Sequence, residues 1–406
     1  MPRAGWKKPP SERRLSDLVS VGLLTRVFPP ELVDEVLAET HRKEQRHRSL
    51  PARVMTYFSV GMALHAEGSY EDVLGLMTDG MAWAERDPDA VPVALPSKSA
   101  IFQARDRLGS EPVKALFRRV AQPLATAETP GAWLAGRRLV AIDGTNLDVA
   151  DTKANDEHFG RPGVNKGERS AFPQARVVAV AECGTHAIVD AEVGPYTTGE
   201  NTLAQALVDR LQSGMLVLAD RGFCGFPLWQ RAVATGADLL WRAKLNMAPR
   251  RIETLEDGSW LAEFRPGGNA GRTTEPLTIR VIDYEIDDGR GERSGPFRLF
   301  TTLLDPAEAP AADLAYAYAQ RWEIETAFGE LKTHQRGANT VLRSKSPALV
   351  EQEIWGHLCC HYAIRTLMFE AAHDAGVDPD RVSFTAALRI TRRSLAQARD
   401  FSPSGH

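Results

Sequence analysis

Apolar residues recur at helical spacing through the first third of the chain. Leu15, Leu18, Val19, Leu23 and Leu24 outline one helix, and Pro29-Pro30 opens a second through Leu32, Val33, Val36 and Leu37. The charge-dense HRKEQRHR (41–48) leads into an apolar helix over residues 50–64. Ser69 is a candidate N-cap for the helix carrying Val73, Leu74 and Met77. Pro96-Ser97 then begins LPSKSAIFQARDRLGSEPVKALFRRV, two short helices around Gly109-Ser110. Ile101 and Leu108 are expected to face inward, with Lys98, Arg105 and Arg107 outside. The pair is either a plain helical hairpin or a helix-turn-helix that meets DNA. Residues 1–130 thus read as an all-helical domain.

Near residue 137 the period changes. RRLVAIDGTNLDV holds the short apolar run Leu139, Val140, Ala141, Ile142, and reads as a buried strand ending at Asp143-Gly144-Thr145. The polar, Gly-containing segment from Val149 to Gln174 reads as a long loop, in which Arg161, Lys166 and Arg169 could meet a phosphate backbone. ARVVAVAE and THAIVDAEV are two more strands turning at Cys183-Gly184, completing an antiparallel meander. ENTLAQALVDRLQSG (200–214) is an amphipathic helix with a Gly stop. MLVLADRGF follows, a second buried strand ending in an acid, Asp220. A helix through Leu228 to Ala234 and a strand at Leu239-Leu240-Trp241 come next. WLAEF, LTIRVIDYEI and FRLFTTL, separated by Gly-rich turns, add a β-rich insertion at 246–300. The core is therefore expected over 131–245 and 301–375, with a basic helical tail at 376–406.

Composition narrows the class. Over 406 residues, 43% hydrophobic and 25% charged is ordinary for a globular chain, and a net charge of −4 argues against coating nucleic acid through bulk charge. The four cysteines form no CxxC, which fits a reducing cytoplasm. The N-terminal MPRAGWKKPPSERR lacks the apolar centre of a signal peptide, and no stretch approaches the ~20 apolar residues of a membrane span. GxGxxG, GxxxxGK[ST] and GxSxG are absent, so a small-molecule α/β enzyme has no motif behind it. His357 and His361 flank Cys359-Cys360 without a pattern that completes a zinc site, and read as part of a buried helix.

The stretch 318–332, YAQRWEIETAFGELK, reads as one rigid helix. Tyr318, Arg321, Glu325 and Lys332 are three, four and seven residues apart, which places them on one helix face. A carboxylate among cations suits phosphodiester chemistry, the acid holding a divalent cation and the basic groups gripping phosphate. The same pattern also describes a solvated face with an i,i+4 Arg–Glu pair. The two strand-end acids, Asp143 and Asp220, favour the first reading, because a sheet fixes carboxylates where a metal could be held.

Together, the DGT strand end, the LADRGF strand end and the Y-x2-R-x3-E-x6-K helix resemble the insertion-sequence-4 (IS4) family of DDE transposases. Asp151, Thr152, Asn155, Phe159 and Gly160 resemble one subgroup of it, and so does the N-terminal helical region. The resemblance implies an RNase H-like core carrying a β-strand insertion between the second and third acids. It implies Mg²⁺ or Mn²⁺ bound by Asp143, Asp220 and Glu325. Tyr318, Arg321 and Lys332 would contact DNA near the transposon end, Trp322 would pack against a displaced base, and Trp260 is a positional match to a base-holding Trp of the insertion. The implied partners are double-stranded DNA with terminal inverted repeats and target DNA. The implied assembly is a homodimer pairing two ends, nucleoid-associated in the cytoplasm. A domesticated DNA-binding relative, or another metal-dependent nuclease on the same core, would share these residues.

Overall fold

The computed structural model describes residues 23–44, 48–82, 96–163, 169–287, 293–337 and 340–396. The expectations placed on Leu15, Leu18, Val19, Lys166 and the last residues of the 376–406 tail lie outside these residues. Helices come first: α1 (Leu23–Val27), α2 (Pro30–Glu39), α3 (Ala52–Leu64), α4 (Tyr70–Ala82), α5 (Lys98–Leu108) and α6 (Glu111–Val120). The mixed part follows with β1 (Trp133–Leu134), β2 (Arg137–Asp148), α7 (Lys153–Phe159), β3 (Gln174–Glu182), β4 (Ile188–Pro195), α8 (Glu200–Val208), β5 (Met215–Ala219), α9 (Phe226–Val233) and β6 (Asp238–Ala243). Next come β7 (Arg250–Thr254), β8 (Trp260–Phe264), α10 (Ala270–Thr273), β9 (Leu277–Asp287) and β10 (Arg293–Thr301). The chain continues with α11 (Ala311–Ala319), α12 (Trp322–Gly329), a π-helical turn (Glu330–Gln335), α13 (Pro347–Ala375), a 3₁₀ turn (Pro379–Arg381) and α14 (Phe384–Ala396).

All strands join one mixed sheet in the order β4-β3-β2-β5-β6-β10-β9-β8-β7, with β1 paired to β2. The meander β2-β3-β4 is antiparallel, β2-β5-β6 is parallel, and β10-β9-β8-β7 returns to antiparallel pairing. The insertion strands thus extend the central sheet, β10 lying directly against β6. Strand alternation sorts β2 onto two cores. Leu139, Ala141 and Leu147 share a core with α3, α12 and α13, whereas Val140 and Ile142 pack with residues of α8 and α9 on the other face. The second core also holds Trp229, Trp241, Phe264 and Phe300, whose rings meet edge to face.

Helix α13 is apolar on nearly every side, as a helix buried all round must be. It packs against α3 and α6 as well as against β4, α7 and the π-helical turn. At Gly356 a Cβ would lie 2.4 Å from the Ser59 carbonyl oxygen, so only glycine allows α3 this close.

Several expectations change. Asp143 does not end its strand: β2 runs on to Asp148 because β3 pairs with it along that whole length. The 149–174 segment contains α7, capped by Thr152, whose side chain accepts from Asn155 N. Arg105 points inward, fully buried, and donates to Gln352, Tyr70 and Ser344. Strand β7, five exposed residues, was not anticipated. All four cysteines are free and buried, and no helix among the described residues is long and apolar enough to cross a membrane.

Candidate active site

The site forms where β5 stops and β2 continues. The two strands are parallel with Ile142 opposite Ala219, so Asp143 and Asp220 leave neighbouring strands side by side, the strands being ~4.8 Å apart. Alternation directs Asp143 to the face covered by α12, away from Ile142 and its core. Glu325 arrives from α12. The guanidinium of Arg321 spans the gap, donating from Nη1 to Asp143 Oδ2 at 3.4 Å and from Nη2 to Glu325 Oε1 at 2.9 Å. Tyr318 is buried, with its hydroxyl 3.4 Å from the Ala219 carbonyl oxygen that immediately precedes Asp220. Lys332 Nζ donates to Thr145 Oγ1 at 3.1 Å, on the same face of β2 as Asp143. Trp322 lies open beside them, 62% exposed, with Arg321 stacked on its ring at 5.0 Å.

The expected single rod is interrupted. α11 ends at Ala319, Gln320 and Arg321 form a tight turn with i→i−3 bonds, and α12 begins at Trp322. The cause is the β3–β4 turn, which lodges against the helix. Cys183 Sγ donates to the Gln320 carbonyl, and Gly184 N donates to the Glu323 carboxylate. Beyond Gly329 the helix loosens into the π turn that carries Lys332.

Electrostatics mark Asp143 as the strained member. Burial pushes its carboxyl up to about 6, against opposing pulls from the Gly144 N–H and Arg321, while the charges of Glu325 and Glu200 add to the rise. Burial likewise pushes the Tyr318 phenol up, with Arg321 opposing and Asp220 reinforcing the shift. These oxygen donors suit a hard divalent cation. In this structure the Arg321 guanidinium supplies the positive charge between Asp143 and Glu325, the position such a cation would neutralise.

Glu200, in the first turn of α8, was read only as part of an amphipathic helix. Its carboxylate fills the side-chain space of residue 144: a Cβ on Gly144 would stand 2.8 Å from Glu200 Cδ and 2.9 Å from Oε1. The sequence signal available was the Gly immediately after Asp143, whose missing side chain is the space the carboxylate occupies.

Other polar clusters lie elsewhere. His186, Glu323 and Asp380 bring ligand-type atoms within 4.8 Å of one another. Glu323 is two residues from Glu325 and therefore on the opposite side of α12. Arg365 donates to His186 Nδ1 at 2.6 Å, which leaves the ring proton on Nε2, facing the two acids. That nitrogen is a hydrogen-bond donor rather than a metal ligand. Burial drives His186 down to about 3 and Glu323 up to about 8. His361 bonds Glu330 at 3.1 Å and His357 contacts Gln335 at 3.2 Å, both inside the core. Trp260 is 6% exposed, with the guanidiniums of Arg251 and Arg298 4.3 and 5.7 Å from its ring centroid and Nε1 donating to Asp283, so little of its ring is open to a base. In the tail, Arg392 is spent on the carbonyls of Leu64 and Gln335.

Family models match both the helical and the mixed parts of the chain. The Transposase DDE domain matches residues 134–363, more than half of the chain, and the Insertion element 4 transposase N-terminal model matches 18–118. The protein is an enzyme of the DDE transposase class. It is 31% identical over 377 residues to the Transposase InsG for insertion sequence element IS4 of Escherichia coli (strain K12), a match covering 92% of this chain and 83% of that one. The Putative transposase InsZ of the same organism is 27% identical over 264 residues, 60% of this chain and 84% of that one. The chain belongs to the IS4 family of transposases. Among solved structures, a piggyBac transposase synaptic complex with hairpin DNA covers 93% of this chain and 80% of its own, at 12% identity and a TM-score of 0.47, too low to bear on topology.

Proposed function

We propose that Asp143, Asp220 and Glu325 are the acids at which this transposase cleaves DNA at its element ends and joins them to target DNA. The observation that carries the reading is the Arg321 guanidinium reaching both Asp143 and Glu325, with Asp220 on the adjoining strand end. We further infer that β4-β3-β2-β5-β6, with α8 and α9 as connections, is an RNase H-like core, and that β7 to β10 are its insertion. The cofactor is Mg²⁺ or Mn²⁺, held by the three carboxylates. When bound, such cations activate the attacking oxygen and stabilise the leaving one.

The protein's own groups do the rest. β2 and β5 fix two of the acids on hydrogen-bonded strands, so their separation is set before substrate arrives. With the acids otherwise neutralised, Arg321 is free to grip a phosphate bidentately. Lys332, on the π turn, adds a point charge, and exposed Trp322 offers a π face to an unstacked base. Tyr318 is buried against the Ala219 carbonyl, so its role in this reading is to hold the Asp220 turn in register. In the helical first part, His41, Arg42, Lys43, Arg48 and Arg107 line one cavity, a place for backbone phosphates of the element end. Two active sites are needed for two ends, which favours a homodimer working on paired ends in the nucleoid.

The test is cleavage of duplex DNA carrying the gene's flanking terminal repeats by the full-length chain with Mg²⁺. Cutting at the repeat boundary is expected for the parent and not for Asp220→Asn or Glu325→Gln. Cleavage by either variant at the parental rate would overturn the assignment.

A further inference from the structure

Asp143 has carboxylates on both faces of its strand. Glu325 approaches from the α12 side. On the opposite, α8 side Glu200 lies against Gly144, its Cδ 2.8 Å from where a Cβ would be, so its carboxylate rests directly on the strand backbone next to Asp143. The charge of Glu200 is poorly compensated by protein. Arg176 Nε is 3.9 Å away, and that guanidinium is already committed to Asn146 Oδ1, the Thr198 carbonyl and the Tyr196 ring. The next residue, Asn201, donates from Nδ2 to the Gly222 carbonyl at 3.0 Å, in the turn that begins with Asp220. One helix end therefore touches both the Asp143 strand and the Asp220 turn.

We propose that Glu200 is a fourth carboxylate of the metal centre, facing a divalent cation from the α8 side, with Asn201 fixing its position relative to Asp220. This rests on the reading that Asp143, Asp220 and Glu325 hold divalent cations. Charge and geometry both favour it. Two divalent cations ~3.5–4 Å apart need oxygen ligands on either side of the acid they share. Three carboxylates leave one positive charge of such a pair unbalanced, and a fourth balances it before DNA is bound. α8 also presents its positive N-terminal end to the Glu200 carboxylate in its first turn. The ligand class is a hard cation with oxygen ligands, Mg²⁺ or Mn²⁺.

The test reads metal binding rather than turnover. The full-length chain, free of DNA, is titrated with Mn²⁺ alone, and free Mn²⁺ is followed by electron paramagnetic resonance. Glu200→Gln is expected to weaken Mn²⁺ binding by about 10-fold or more, with melting in chelator unchanged because the substitution is isosteric and half exposed. Glu200→Asp should recover part of the loss. Gly144→Ala keeps every carboxylate but displaces Glu200, and should weaken binding as well. Parental Mn²⁺ affinity in Glu200→Gln, with affinity lost in Asp143→Asn, would overturn the proposal and leave the three-acid site standing. Parental affinity in both variants would remove the three-acid site too.

Discussion

Replacing Asp143 by Asn should make the metal-free protein more stable while destroying its activity. Burial lifts the Asp143 carboxyl from 3.8 to about 6. A rise near two units, at about 1.4 kcal/mol each, means the ionised group costs the fold roughly 3 kcal/mol. The sign follows from which state loses its proton first. A raised carboxyl pKa lets the unfolded chain ionise earlier, so the cost is absent below 3.8, grows as pH rises, and is complete above about 6. Asn removes that cost. Its carbonyl oxygen can still accept from Gly144 N, and Arg321 keeps Glu325. Asp143→Asn should therefore melt several degrees above the parent at neutral pH by differential scanning fluorimetry. The advantage should shrink as pH falls through about 6. Mn²⁺ should then raise the melting point of the parent and not of the variant. A variant that melts no higher than the parent at neutral pH, or whose advantage ignores pH, would refute the account of a carboxylate held ready for a cation.

Other consequences are as direct. Lys332→Ala should lower affinity for element-end DNA and reduce the salt slope of binding by about one charge; an unchanged slope would place Lys332 away from phosphate. Trp260→Ala should cost about 3–5 kcal/mol of stability by chemical denaturation, and urea curves that superimpose on the parent's would contradict its buried position. Gly184→Ala puts a Cβ 2.4 Å from the Pro130 carbonyl at a φ of +81°. It should destabilise by more than about 1 kcal/mol and lower cleavage through the Glu323 contact; parental melting and cleavage together would exclude that route.

The strands that carry Asp143 and lead into Asp220 were legible because hydropathy and turn chemistry agree locally. LVAI and LVLA are short apolar runs, each followed by an acid and a glycine within three residues, and buried strands flanked by turns look like that. What could not be read was set by distant partners. β2 continues through Gly144, Thr145 and Asn146 only because β3 supplies hydrogen bonds, which leave no trace in hydropathy. The break at Gln320-Arg321 lies among good helix formers and is imposed by the Cys183-Gly184 turn, some 137 residues away. Arg105 looked like a solvated cation because Gln352, its partner, is 247 positions along the chain. Trp260 fitted its motif by position, yet its ring is closed off by two arginines. Asn155 looked like a subgroup signature and acts structurally, its side chain bonding the carbonyls of Ala150 and Ser344.

The first part of helix α13 lies in the segment that matches the DDE domain, yet the helix forms the floor on which α3 and α6 rest, with Gly356 seated against Ser59. Severing the chain ahead of β1 would bare an oily surface that water does not tolerate. On the proposed reading, in which the leading helices meet the element end, new end specificity would therefore be hard to graft on by exchanging them wholesale. It would have to accumulate through changes on their outer sides, keeping reader and cutter inherited as a single piece.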